Sequence, residues 1–432
     1  MSSRKATLLL LILTTLPVFS VDRARVSELS QQVREFTKKN DWISARDAMA
    51  KILEEIGTPT PIYMLRMASL ETRAGNNRAA LEWMSRYAAT GLTYDISTDD
   101  DLKPLLAEKD YAAIAARMKD GSSPISNAEV VCTLPMSDLM PEDLTYEKSS
   151  RTFIVSSVRH HTLYRVTLPK NQGEECGLQE IPLEESAKRW PILAVSFDST
   201  RKVLWMTASA MPGFSGFRKE DSGKTSLIAL NPTSGKILRR FDLDARGEAV
   251  LGDMSISSDG TLFVTDSIGG GVYRLQGQLE AAKLEKIAGG LFSPQTPILA
   301  NDGKRLFVAD YSIGIAVIDP ASGKVTYLSH PMEIAVGTLD GLTLSGDTLI
   351  GIQNGTDPER IMRYRLNPDQ TAVVSQEVIE QGPHLGDPTH VIVVDGYAYV
   401  LANVGWGEIN DNGELKADHK FTAPILMRFP LK

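Results

Sequence analysis

Beyond residue 128 the chain is written in short runs of alternating apolar and polar residues, punctuated by glycine and aspartate turns. The clearest unit is GDMSISSDGTLFVTDSIGGGVYRL, residues 252–275. Met254, Ile256, Leu262 and Val264 alternate with small or polar neighbours, and Asp259-Gly260 falls between the two runs, which is the pattern of a hairpin closed by a tight turn. The turn Gly269-Gly270-Gly271 then leads into Val272-Tyr273-Arg274-Leu275, a third short strand. Before residue 121 the apolar period is helical instead.

The middle strand of this unit recurs as RTFIVSS (151–157), KVLWMTA (202–208), TLFVTDS (261–267), RLFVADY (305–311), TLIGIQN (348–354) and YAYVLAN (397–403). These six copies are spaced roughly 43 to 59 residues apart, in or near the ~40 to 50 residue period of propeller blades. A further β-like run follows each, among them TLYRV (162–166) and ILMRF (425–429). The pattern predicts an all-β six-bladed propeller over residues 128–432, preceded by a small α-helical domain. The run AEVVCTL (128–134) is placed to complete the last blade as its outermost strand, leaving few free edges.

In the helical part, residues 24–39 and 42–56 read as one antiparallel pair and 60–74 and 77–90 as another, with breaks at Asn40-Asp41 and Gly75-Asn76. Ala45 and Ala80 occupy the same place in the two pairs, roughly 35 residues apart, close to the ~34-residue period of tetratricopeptide repeats. DYAAIAARM (110–118) reads as part of a further helix. A tetratricopeptide-like domain is therefore expected over 21–120, with a linker at 121–127. Two repeats are fewer than stand alone, so the segment is expected to pack on the propeller or on a second copy, with Trp42 and Trp83 in its core.

Composition narrows the classes. With 42% hydrophobic and 23% charged residues in 432, the chain has enough apolar surface for two ordered units. A formal net charge of -8, without basic runs in the body of the chain, excludes a nucleic-acid footprint and favours cations over phosphates as ligands. Residues 1–20 place Arg4 and Lys5 before an apolar run shorter than the ~20 residues of a spanning helix, the layout of a secretory signal. Export to the periplasm or the cell exterior is expected, with no stable membrane insertion after signal cleavage. Cys132 and Cys176 then meet an oxidising compartment, which permits either one disulfide where the ring closes or two buried thiols.

In a propeller blade the innermost strand starts, and the second strand ends, on the same face, so these positions converge on the mouth of the central channel. The first set holds Glu142, Asp143, Asp253, Gln295, Asp340, Asp387 and His390. The second holds Ser156, Asp266, Asp310, Gln353, Asn354 and Asn403, with His160 and His161 just beyond. Crowded carboxylates and amides repel one another unless a cation or ordered water compensates, and an oxygen-rich set favours a hard divalent ion. The competing reading has Asp266 and Asp310 capping turns inside their blades. Glu142, Asp253, Gln295 and Asp340 are the candidate metal ligands, and His390, His160 and Asp387 the candidate catalytic groups. His160 and His161 are adjacent, so at most one of them faces the channel. HExxH, CxxC and phosphate-loop motifs are absent, as is a serine elbow between strand and helix.

The stretches PEDLTYEKSSRTFIVSSVRHHTLYRV, GDMSISSDGTLFVTDSIGGGVYRL, ANDGKRLFVADYSIGIAVID and LDGLTLSGDTLIGIQNG resemble the senescence-marker-protein / gluconolactonase family and the related NHL and strictosidine-synthase-like propellers. The resemblance spans residues 130–432. It implies a divalent cation, calcium foremost, held in the channel by a glutamate at the start of blade one, middle-blade asparagines and the aspartate of an Asp-Gly pair. It also implies hydrolysis of a small lactone or ester whose carbonyl the ion polarises. Glu142 stands at the first of these positions and Asp340-Gly341 at the last, whereas Gly252-Asp253 and Gln295 stand where the family has Asn-Asp and Asn-Gly. The alternative expectation is a non-catalytic scaffold that holds protein partners on the propeller face and the helical repeats.

Overall fold

The computed structural model describes residues 19–244, 249–410 and 412–431. Most of the expected signal lies outside the described residues. Six four-stranded sheets form the blades, each antiparallel between neighbours. Their innermost strands are Leu144–Glu147, Ile192–Asp198, Leu251–Ile256, Pro294–Leu299, Leu339–Ser345 and Val391–Val394. Second strands fall on the six recurring runs, from Thr152–Ser157 to Tyr397–Ala402, and are almost wholly buried because both faces meet a neighbouring blade.

Ring closure joins the two ends of the propeller. Glu129–Thr133 pairs with Ile425–Pro430 as the outermost strand of blade 6, in the register Glu129↔Arg428 to Thr133↔Ile425. Cys132 and Cys176 form a disulfide with Cα atoms 5.6 Å apart, so of the two cysteine readings the paired one holds. Around it Cys176 N–H donates to Thr133 O at 2.8 Å and Thr133 N–H to Glu174 O at 3.1 Å. Blade 6 is thereby fastened to the outer edge of blade 1.

The N-terminal helices are α1 (Arg23–Lys38), α2 (Trp42–Ile56), α3 (Pro61–Arg73), α4 (Asn77–Ala89) and α5 (Tyr111–Gly121). Asp22 and Asp41 cap α1 and α2 by accepting from Arg25 N and Ser44 N, both at 3.1 Å. Ala45 and Ala80 are fully buried, which lets paired helices approach closely. Leu29, Met49, Ile52 and Tyr63 share one apolar cluster with Phe263, Leu306 and Tyr327 of blades 3 and 4. The helices thus pack on the propeller, and Trp42 and Trp83 lie half-buried at the edge of that cluster.

Polar contacts fix the docking. Arg23 donates to Ile268 O and Gly269 O at 3.1 and 3.0 Å, Thr60 to Ser312 O at 3.1 Å, and Arg360 to Thr90 O at 3.1 Å. These partners follow or flank the second strands of blades 3, 4 and 5, so the helices lie along the mouth side of those blades. The expected linker is pinned as well, with Ile125 bridging Gln381, and Asn127 N–H and Ala128 N–H donating to Glu380 Oε2. Among the described residues, no helix is long and apolar enough to cross a membrane.

Candidate metal and catalytic site in the channel mouth

The backbone of the inner strands aims the site residues. In blades 2 to 5 these strands carry a register irregularity near their starts, at Ile192/Val195, Leu251/Asp253, Pro294/Pro297 and Leu339/Leu342. A bulge breaks strict alternation and turns a side chain toward a new direction. Asp253, Gln295 and Asp340 sit at three of these irregularities; Glu142 and Asp143 immediately precede the first strand of blade 1, and His390 that of blade 6. All six line one cavity of about 170 Å³. At Gly341 the blades come so close that a Cβ would lie 2.6 Å from Thr389 O, which explains the glycine after Asp340.

Each carboxylate is positioned by specific donors. Asp143 accepts from Leu144 N at 2.6 Å and Val195 N at 2.7 Å, and its Oδ1 lies 3.0 Å from His390 Nε2. Asp253 accepts from Met254 N at 2.6 Å and from the Thr296 hydroxyl, and its Oδ2 is 3.5 Å from His390 Nδ1. Asp340 accepts from Asn354 Nδ2 at 2.7 Å, and Asn354 Oδ1 accepts from Tyr311 OH at 3.0 Å. Glu142 accepts from the Trp406 indole N–H, while its backbone carbonyl accepts from Thr389 Oγ1 at 2.7 Å. Asp143, Asp253 and His390 offer ligand atoms within 4.8 Å of one another, a buried group able to bind a metal.

Burial dominates the electrostatics. It pushes Glu142 well above the usual carboxylate range, with the Asp340 charge adding to the effect. It raises Asp143 to about 8 against the pull of His390, and Asp340 to about 7 with help from Asp253. For His390 burial works downward, but Asp143 and Asp253 overcome it and raise the imidazole to about 10.

The remaining sequence candidates lie off the cavity. His160 sits 3.3 Å from Asp138 Oδ1 and lines a separate surface cavity with Arg159 and Phe214. The chain turns through a left-handed residue at His161, φ 51°, whose buried ring faces Lys188 O, and burial lowers its pKa. Asp387 also has positive φ, 56°; its N–H donates to Glu359 and its carboxylate accepts from Gly407 N–H, a turn-holding arrangement outside the lining. Asp266 and Asp310 cap turns: the first accepts from Val250 N and Gly269 N, the second from Phe292 N, Ser293 N and Tyr327 OH.

The sequence places Asp143 at the mouth without showing its role, and nothing in it marks Trp406, Thr296 or Thr389. Trp406 lies in the connection between the second and third strands of blade 6, where no strand pattern marks it. Asp143 was legible only as the neighbour of Glu142.

No protein-family model matches the chain. No curated protein matches it either. Among solved structures it is similar to a putative oxidoreductase (glucose dehydrogenase) from a Thermus species, at 16% identity and a TM-score of 0.48, covering 70% of this chain and 98% of that one. It is also similar to luciferin-regenerating enzyme, at 11% identity and 0.47, covering 71% and 95%. Virginiamycin B lyase from Staphylococcus aureus follows at 14% and 0.42, covering 71% and 88%. The chain is a six-bladed β-propeller.

Proposed function

We propose that the channel mouth is the active site of a divalent-cation-assisted hydrolase of lactones or related esters, of the gluconolactonase type. The observation that carries this reading is the convergence of Glu142, Asp253 and Asp340 on one cavity beside a histidine held by a buried aspartate. The donors are carboxylate and amide oxygens, the chemistry of a hard ion such as calcium. Burial favours the protonated form of Glu142, Asp143 and Asp340, and the carboxylate charge left when those protons depart is what a divalent cation would balance. Asp253, a member of the close Asp143–Asp253–His390 group, would hold the ion together with Glu142 and Asp340, which line the same cavity, and the Gln295 amide beside them.

Bound there, the ion supplies Lewis-acid polarisation of a carbonyl oxygen. The chain's own part is proton handling. Asp143 and Asp253 hold the His390 ring through Nε2 and Nδ1 and favour its protonated form, so Nδ1–H is the position that would give a proton to the leaving oxygen, and the proton released by attacking water would then restore it. Export is part of the same proposal, supported by the N-terminal signal pattern and the Cys132–Cys176 disulfide. The test is turnover of a lactone and aryl-ester panel by chelator-treated protein with calcium, magnesium, manganese or zinc restored. Cation-dependent hydrolysis that is lost in Glu142→Gln and His390→Gln is expected, and no turnover with any ion overturns the reading.

A second reading rests on a different observation. The N-terminal helices border a groove of about 680 Å³ lined by Trp42, Leu65 and Leu70, with Arg34, Lys38 and Arg66 around it. On this reading the groove holds a protein partner and the propeller is its scaffold. Partner capture that survives Glu142→Gln but is lost in Arg34→Glu separates it from the enzymatic one.

A further inference from the structure

Two long loops meet at the channel mouth. Residues 210–223 in blade 2 and 403–424 in blade 6 join second to third strands, a connection that blades 1, 3 and 4 make with 158–161, 267–270 and 311–313. Met211 from one loop and Trp406 from the other both line the channel cavity. Phe214 stands edge-on to Trp406, with ring centroids 6.0 Å apart at 72°. The loops touch at Gly213 and Gly413, where φ is 82° and 80° and a Cβ on Gly213 would lie 2.2 Å from the Gly413 carbonyl carbon. A side chain at either position would force them apart.

The roof changes the character of the cavity. Met211 and Trp406 join Leu193, Val250 and Ile268 in an apolar wall, while the carboxylates and His390 supply the polar part. The Trp406 indole N–H is committed to Glu142, so the ring presents an apolar surface fixed in place. Against Leu193, Met211, Val250 and the Trp406 ring a ligand hydroxyl would lose water and meet no polar side chain, at a cost of about tenfold in affinity or more for each such group. An alkyl or aryl substituent gains from the same surface.

We infer that this two-loop roof selects small lactones or esters bearing an alkyl or aryl substituent, and rejects polyhydroxylated sugar lactones of the same ring size. The inference rests on the hydrolase reading of the channel and names its substrate class. A cavity of about 170 Å³ has room for one small ring, which limits the substituent to a short one.

The experiment compares a short-chain γ-alkyl lactone with a polyhydroxylated γ-lactone as substrates of the cation-loaded protein. In parallel, calorimetry measures binding of the corresponding γ-alkyl and hydroxylated lactams, which need not be hydrolysed. The alkyl member is expected to lead by at least tenfold in kcat/KM and in lactam affinity. Met211→Gln, which keeps the side-chain length and adds an amide, is expected to cut that preference about tenfold. Ile268→Asn, at a position 43% exposed and so tolerant of change, serves as the second variant, with thermal melts confirming that both fold. Preference for the polyhydroxylated member, binding of neither lactam, or an alkyl preference untouched by both variants overturns the inference. Alkyl-lactam selectivity without turnover of either substrate overturns the hydrolase reading and leaves the roof's selectivity standing.

Discussion

Nε2 of His390 lies 3.0 Å from Oδ1 of Asp143. The aspartate is itself anchored by Leu144 N–H in blade 1 and Val195 N–H in blade 2, so a histidine delivered by blade 6 is held by the two blades that follow the closure. Asp143 and Asp253 together keep the imidazole at about 10 against burial. Asp143→Asn is therefore expected to move the imidazole titration down by a unit or more and to lower kcat by about 10- to 100-fold, with KM little changed. A pH–rate profile and an NMR titration of the ring check this, and an unmoved titration contradicts it.

Stability of the cation-free protein is expected to fall as pH rises. Burial holds Asp340 at about 7 and Asp143 at about 8, above the usual carboxylate value. A group whose folded-state pKa is raised contributes stability below its unfolded pKa and loses it as pH climbs through the folded one. His390, raised to about 10, acts in the same direction. The stripped protein should melt several degrees lower at about pH 8 than at about pH 5, and saturating calcium should narrow the gap because the ion competes with protons. Melting temperatures that rise between these pH values without cation contradict the account.

The ring closure predicts a disulfide effect. Cys132 and Cys176 are separated by 44 residues, for which chain entropy gives about 4 kcal/mol of stabilisation. Cys132→Ser should lower the urea midpoint while leaving far-UV dichroism native-like, since Glu129–Thr133 still pairs with Ile425–Pro430. An unchanged midpoint shows that strand pairing alone carries closure.

Docking of the helices depends on Arg360, which is fully buried. It donates Nε and Nη2 to Gln353 Oε1 at 3.1 and 2.7 Å, and Nη1 to Thr90 O at 3.1 Å. Arg360→Met leaves those acceptors unpaired, and a loss of about 2–3 kcal/mol is expected in denaturant unfolding. A loss below about 0.5 kcal/mol shows that the apolar contacts suffice.

Much of the architecture was legible because strand alternation and helical period are local signals. The six second strands, the helix pairs around Ala45 and Ala80, and the closing run at 128–134 fall where the pattern puts them. Strand order alone brought Glu142, Asp253, Gln295, Asp340 and His390 to the mouth. What the pattern hid is set by backbone departures. Left-handed turns at His161 and Asp387 divert His160 and Asp387 from the cavity, and the long loop bearing Trp406 has no period to read. Nor did the sequence show which carboxylate of the Glu142-Asp143 pair would hold the histidine, because that depends on Val195 N–H reaching Asp143 from the next blade.

Hydrolysis at the channel mouth would depend on a divalent cation held by Glu142, Asp253 and Asp340. The most direct test is a thermal and calorimetric titration of chelator-treated protein with calcium, magnesium, manganese and zinc, beside Glu142→Gln. A hard ion, calcium first, is expected to stabilise the wild-type protein by about 2.7 kcal/mol at a hundredfold excess over Kd, and Glu142→Gln to lose most of this while remaining folded. No stabilisation by any of the four ions, or equal stabilisation of wild type and Glu142→Gln, contradicts it.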